Sequence, residues 1–373
     1  MIDALQKAFA RLQEREAGTG ASVCLWQGGQ ELCTLCTGES RPGSPWGRDT
    51  LVPIYSATKP ASAACLLLAL YDCCQGPELE VGELWPAFPA PHCTIGELLS
   101  HQSGLAAWDT SAPQGDLEAC RAAIEKSTPL WGPPQHGYHP HTFGPMLDIL
   151  MQELTGQRIG AYWEERVREP LGLDFYIGLP PSEYGRVAPL HAPKLRGPLP
   201  DTPFYRAFFN PDSPVYRAFH SVLGPDSAAE MSTPEAWAMA CPAKGGVASA
   251  RGLAAFYQAL LGLLPGSPFP TEVTDWLRTP MCSGPDATLA EPTGFTCGAM
   301  YEPAELFGRG GFGHAGAGGC HAFCEPNSGL SFAFTMNDME IGILPGERVR
   351  RLVRALRGDD AEKSCPAAPD VLQ

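Results

Sequence analysis

The sequence predicts an α+β protein: an antiparallel sheet closed by both chain ends and flanked by helices, with a mostly helical lobe beside it. Short segments at 21–26 (ASVCLW), 31–37 (ELCTLCT) and 51–54 (LVPI), bounded by turn residues, read as strands. Strand-like character returns only late, at GFTCGAMYE, GCHAFCEP and LSFAFTMND. Between them, from about 76 to 240, helical segments are broken by Pro-rich loops. The expected division is a discontinuous sheet domain of residues 1–75 and 240–373 and a helical domain of residues 76–239.

In chain order, the start MIDALQKAFARLQEREAG places Leu5, Phe9 and Leu12 at helical spacing, an amphipathic helix. Gly28 and Gly29 mark a tight turn between the first two strands, and SRPGSPWGR a loop before the third. From Tyr55 the stretch SATKPASAACLLLALYDCC is small and apolar nearly all round, which predicts a helix buried on every side. TIGELLSH, 116–125, GPMLDILMQELTG and IGAYWEERVREPLG follow as helices. The prolines from Pro180 to Pro203 mark a long loop region, and a last helix is expected at 347–356. No internal repeat or low-complexity segment is present.

Hydrophobic residues make up 44% and charged residues 18% of the 373, below the roughly 25% charged of an average soluble chain, so the composition is globular. The net charge of -15 repels phosphate backbones and argues against nucleic acid as a partner. The basic cluster Arg348, Arg350, Arg351, Arg354 and Arg357 shares a helix with the apolar stripe Val349, Leu352, Val353 and Leu356, which reads as a solvated face. No run of about 18 apolar residues could span a membrane, and the N-terminus lacks a signal peptide's apolar core, so a cytoplasmic location is expected. Fourteen cysteines, several in apolar company (Cys65, Cys73, Cys74), fit reduced, buried thiols. Cys33 and Cys36 form a CxxC within a strand, where positions three apart face opposite sides, so neither zinc nor redox chemistry is expected there.

Ser56 and Lys59 stand three residues apart where a strand gives way to the buried helix, nearly one turn, so hydroxyl and amine face the same way. A lysine, whose ordinary pKa is about 10.4, becomes the base for a serine only where desolvation or nearby positive charge holds it neutral. The same pair also fits a helix N-cap serine with a snorkelling lysine. Two other segments favour chemistry. Residues 136–144 bring Tyr138 and three histidines to a loop before a helix, and residues 311–319 form a Gly-rich strand edge that lets a substrate approach the backbone. His139 and His141 invite a metal reading, but no carboxylate lies at ligand spacing and Pro140 follows His139, so hydrogen bonds within the loop are expected and no metal or cofactor.

The order SxxK, then a tyrosine about eighty residues on, then His-x-Gly on a late strand resembles the serine β-lactamase-like superfamily. The likeness is greatest to its class C β-lactamase and family VIII carboxylesterase branch. LLSHQSGL at 98–105, EPLGLDFYIGLP at 169–180 and GGVASARGLAAF at 245–256 are similar to stretches of that family, in collinear order. The resemblance implies a β-lactamase/transpeptidase-like fold, with Ser56 as acylated nucleophile and Lys59 as the group that takes its proton. Tyr138 matches the tyrosine that shuttles a proton to the leaving group and later activates water. The backbone N–H groups of Ser56 and Ala317 match the oxyanion hole, and His314 and Gly316 the substrate-binding strand. His101 falls in a segment that is mainly structural in the family.

Two departures bear on substrate. Pro140 stands where class C enzymes carry the Asn of Tyr-x-Asn, and His314-Ala315-Gly316 stands where they carry Lys-Thr-Gly. Both losses favour a neutral ester over a carboxylate-bearing lactam, because histidine titrates near about pH 6.5 and is not a dependable cation. The resulting expectation is an acyl-enzyme serine hydrolase of short-chain carboxylic esters, a small-molecule enzyme with no nucleic-acid partner and no set oligomeric state. The alternatives are β-lactamase or D-amino-acid amidase and peptidase activity and, from another class, a non-catalytic filament-forming scaffold. Retention of Ser56, Lys59 and Tyr138 together speaks against the scaffold. Trp131, Tyr205, Phe208 and Phe209 suit either an acyl pocket or plain packing.

Overall fold

Both chain ends enter one antiparallel sheet of eight strands in the computed structural model, which describes residues 1–15, 20–194 and 197–358. Across the sheet the strands are Cys282–Pro285, Pro292–Phe295, Met300–Glu302, Phe312–Ala315, His321–Glu325, Leu330–Met336, Ala21–Gln27 and Gln30–Thr37. The first and last strands of the chain pair with each other, one strand in from the sheet edge, with Ala21 facing Met336 and Gln27 facing Leu330. The turn between Ala21–Gln27 and Gln30–Thr37 is built by Gly28 and Gly29 with φ of 57° and 79°, a left-handed pair that residues with side chains adopt poorly. The stretch expected as one strand at 294–302 is a hairpin, because the chain reverses at Gly298 and divides it into two.

Helix Ala250–Leu260 packs on strands His321–Glu325, Leu330–Met336 and Ala21–Gln27, and the terminal helices Ile2–Arg15 and Glu347–Arg357 pack on each other. Leu5, Phe9 and Leu12 are buried as the helical spacing predicts, and so are Val349, Leu352 and Val353. Arg348, however, is not on a solvated face: it is buried and donates to the Asp338 carbonyl. Four residues before Leu352, it lies on the apolar stripe, where its aliphatic stem packs and its head finds a carbonyl. The other arginines stay outside, Arg350 on Glu305 and Arg351 and Arg354 on Glu347.

Helix Lys59–Asp72 is buried at every position from Lys59 to Leu70, as its composition predicts. Cys73 and Cys74 depart from expectation and are exposed, because the helix ends at Asp72 and Cys74 takes a left-handed φ of 57° as the chain turns outward. All thirteen described cysteines are free thiols, Cys33 and Cys36 among them on strand Gln30–Thr37. In the middle of the chain, helices Ile95–Leu99, Leu117–Glu125 and Phe143–Thr155 occur where expected. That region also supplies strand Phe175–Ile177, which joins Val52–Tyr55 and Gly246–Ala248 in a second, three-stranded sheet. No described helix is long and apolar enough to cross a membrane.

Candidate active site

Ser56 sits at a strained corner. Strand Val52–Tyr55 ends at Tyr55, whose φ of 47° is rare for a bulky residue, and a 3₁₀ turn of Ser56–Thr58 leads into the buried helix. Ser56 and Lys59 therefore do not share one α-helix, as their spacing suggested, but a tighter turn that still aligns them. Thr58 braces the corner, its Oγ1 donating to the Tyr55 carbonyl at 2.6 Å and accepting from the Gly246 N–H at 2.9 Å.

Lys59 is fully buried, and no carboxylate among the described residues lies against it. Its Nζ lies 2.9 Å from the Pro140 carbonyl, 3.0 Å from the Ala243 carbonyl and 3.1 Å from Ser56 Oγ. Burial holds this amine well below the ordinary lysine range, with nearby Cys241 opposing the shift and the positive charge of Lys244 adding to it. A neutral amine has two N–H bonds and one lone pair. The two carbonyls take both N–H bonds, so the lone pair is left for the Ser56 hydroxyl.

Tyr138 closes the other side, its hydroxyl donating to Ser56 Oγ at 2.6 Å. Burial pushes the phenol up, so it keeps its proton at neutral pH. The Tyr138 loop is held from the sheet by Asp286, a buried carboxylate that neither motif nor spacing had marked. Asp286 accepts from the N–H groups of Tyr138, Thr288 and Leu289 and from the Thr293 hydroxyl, at 2.8 to 3.2 Å. Asp286→Ala orphans four buried donors, and we expect it to lower unfolding free energy by about 3 kcal/mol or more in urea titration. It also reduces turnover of the protein that remains folded, since Tyr138 loses its tether. Behind Tyr138, the buried His101 ring packs on Tyr138, His139, Phe143 and Phe295, in keeping with a structural part.

His314 and Gly316 approach from strand Phe312–Ala315. A Cβ at Gly316 would collide with the Ile54 carbonyl oxygen, so only glycine lets this strand edge run against the strand that carries Ser56. Ala317 follows directly, and neither its N–H nor that of Ser56 is engaged by a described residue. His314 is buried and its pKa is lowered to about 3, chiefly by burial. Its Nδ1 lies 2.7 Å from the Ala315 carbonyl and must carry the proton, so Nε2, which has no described partner, presents a lone pair.

Two further histidines of the loop are engaged in hydrogen bonds, one of them across to the sheet. His139 Nδ1 donates to the Gly137 carbonyl at 2.7 Å and Nε2 faces the Ser103 hydroxyl at 3.0 Å, while His136 Nε2 meets Thr293 Oγ1 at 3.1 Å. The described residues hold no cluster of histidine, cysteine and carboxylate side chains suited to a metal ion. Phe208 and Tyr205 pack on neighbouring aromatics, and Phe209 is 60% exposed. Also missed in the sequence were Lys244, Asp226 and the part His141 plays with them: Lys244 Nζ lies 2.9 Å from Asp226 Oδ1 and 3.3 Å from His141 Nε2.

Residues 5–353 match the family described as Beta-lactamase. The chain is 29% identical over 350 residues to the esterase/beta-lactamase LipL of Mycobacterium tuberculosis, covering 89% of this chain and 80% of LipL. Among solved structures it is similar to a penicillin-binding protein homologue from Caulobacter crescentus, with a TM-score of 0.83, 30% identity and coverage of 95% and 96% of the two chains. A family VIII carboxylesterase superposes with a TM-score of 0.84 at 26% identity, again covering 95% and 96%.

Proposed function

The chain belongs to the beta-lactamase family, and on that premise we propose that it is a serine hydrolase cleaving short-chain carboxylic esters through an acyl-enzyme. The observation that carries this reading is the Lys59 amine, fully buried, held well below the ordinary lysine range by that burial and set against two carbonyls, 3.1 Å from a serine hydroxyl. Such an amine is a base aimed at one proton.

In this reading Lys59 takes the Ser56 proton as Oγ attacks the ester carbonyl. The Ser56 and Ala317 N–H groups hold the resulting oxyanion, a contribution worth about 10²- to 10³-fold per donor. As the tetrahedral species collapses, the carbon–oxygen bond to the alcohol breaks. Tyr138 gives its proton to the departing alkoxide and regains one from the Lys59 ammonium. Water then adds to the acyl-enzyme, losing its proton to the same pair, and the Ser56 oxygen leaves with a proton restored. The cycle closes with both groups in their starting states.

The choice of ester over lactam is supported by His314. A β-lactam carboxylate needs a cation or a donor where this strand supplies an uncharged ring whose Nε2 carries a lone pair. Pro140 likewise offers no side-chain amide, and its carbonyl is occupied by Lys59. We expect kcat/KM for p-nitrophenyl butyrate to exceed that for nitrocefin by at least about 100-fold, equivalent to about 3 kcal/mol; the reverse order would select the lactam reading. The nucleophile is tested by mass spectrometry after exposure to a fluorophosphonate. A single adduct that disappears in Ser56→Ala supports the reading, and no adduct on folded protein rejects it.

A further inference from the structure

Three atoms surround the Lys59 amine: Ser56 Oγ and the carbonyl oxygens of Pro140 and Ala243. The residue next in the chain to each of these is Tyr55, His141 and Lys244, and Asp226 contacts all three. Tyr55 donates its hydroxyl to the Asp226 carbonyl at 3.0 Å. Lys244 Nζ lies 2.9 Å and His141 Nε2 3.2 Å from the same carboxylate oxygen, Oδ1. We propose that Asp226, Lys244 and His141 form a positioning cluster that fixes the cradle of the Lys59 amine and so sets the direction of its lone pair toward Ser56. This inference rests on the reading of Lys59 as the base.

The burial pattern supports it. The Lys244 side chain is 3% exposed and that of His141 6%, whereas Asp226 is half exposed at 49%. A lysine ammonium so buried is tolerated only beside a compensating charge, and Asp226 is its ion-pair partner among the described residues. The cluster therefore spends a charged pair on a place where an apolar side chain would pack at lower desolvation cost. What it supplies in return is geometric. The Lys59 amine ends a flexible four-carbon stem, and an error of about 1 Å in either carbonyl would swing the lone pair away from the hydroxyl.

The cluster also places one full positive charge beside a base that must stay neutral. The other titratable groups facing Lys59 are Tyr138, Cys241 and the histidines 101, 139, 141 and 314, and burial holds the tyrosine and these histidines uncharged at neutral pH. Lys244 is thus the cation whose removal is felt, and Asp226 the charge that compensates it.

The test is the pH profile of kcat/KM for p-nitrophenyl butyrate in Lys244→Met and Asp226→Asn, with Tm as a check on folding. For Lys244→Met we expect kcat to fall roughly 10- to 100-fold with KM within about threefold, the size expected for a misplaced catalytic group. Its acid limb moves to higher pH, because Lys59 protonates more easily once the neighbouring cation is gone. Asp226→Asn leaves Lys244 uncompensated and moves the acid limb to lower pH. Limbs unmoved in both variants, or a loss confined to KM, overturns the proposal. Should Lys244→Met fail to fold, the half-exposed Asp226 variant decides by the direction of its limb. Fluorophosphonate labelling separates the two levels: unlabelled wild type rejects Ser56 and Lys59 as nucleophile and base, whereas labelled wild type with unmoved limbs rejects only the cluster.

Discussion

Lys59→Met is expected to lower kcat for p-nitrophenyl butyrate by about 10⁴-fold or more, close to the effect of Ser56→Ala, and the double variant is expected to be no worse than either alone. The reason is that hydroxyl and amine act as one device. Without the amine, the serine keeps its proton and the leaving alkoxide has no route to one; without the hydroxyl, the amine has nothing to activate. Methionine suits the test because the site is fully buried and the apolar chain fills the space of the lysine stem. Its cost is two orphaned carbonyls, Pro140 and Ala243, at about 1–3 kcal/mol each, partly offset because no amine is desolvated. The wild-type pH profile follows from the same chemistry. Lys59 sits well below its ordinary range, so kcat/KM rises with pH through a single acid limb as the amine loses its proton. Tyr138 is pushed up, so the plateau extends to at least the ordinary tyrosine range near about pH 10. Retention of more than about a hundredth of wild-type kcat in Lys59→Met would remove it from the role of base.

Which parts of this site could be read in advance depends on how far apart in the chain their atoms lie. Ser56 and Lys59 announce themselves because three residues are one turn and any turn brings them together. Tyr138, 82 residues beyond Ser56, was found through family resemblance rather than through spacing. Asp286 reaches the Tyr138 N–H across 148 residues and Lys244 reaches His141 across 103, and no local periodicity encodes such contacts. Both overlooked carboxylates do share a local signal. Each ends a Gly-Pro-Asp tripeptide, at 224–226 and at 284–286, a turn-forming sequence whose aspartate can bond to the backbone just ahead. At Asp286 that bonding is realised in the N–H groups of Thr288 and Leu289. The sheet was legible because short apolar runs bounded by turn residues are a local signal. The misassigned Arg348 shows the converse, since charge alone placed it outside while its position on the apolar stripe put it inside.

The largest effect on stability is expected from acid, through histidines that the fold buries without charge. His139 and His314 have pKa values lowered to about 3, His141 and His321 to about 4, and His101 also falls well below its ordinary value; desolvation is the leading cause in each. In the unfolded chain each titrates near about 6.5. The folded values lie lower, so the unfolded state binds more protons in the window between, and folding free energy is complete above about pH 6.5 and lost as pH falls through it. At about pH 5 each of the four whose values lie near 3 to 4 has withdrawn about 2 kcal/mol, and together they match much of the 5–15 kcal/mol that holds an ordinary domain folded. We therefore expect Tm to fall by about 10–20 °C between pH 7 and pH 5, with proton uptake accompanying unfolding in the same window. His321 offers a control outside the catalytic group, packed on Phe307 and Phe323 with Nε2 on the Leu306 carbonyl. His321→Phe should lower stability at pH 7 through that lost bond, yet flatten the slope of stability against pH by about one proton. A Tm constant to within about 3 °C from pH 7 to pH 5 would contradict the whole account. Reversibility on different timescales separates this loss from the acid limb of catalysis. Protonation of Lys59 reverses as fast as pH can be returned to neutral, whereas activity lost through histidine-driven unfolding returns only at the rate of refolding.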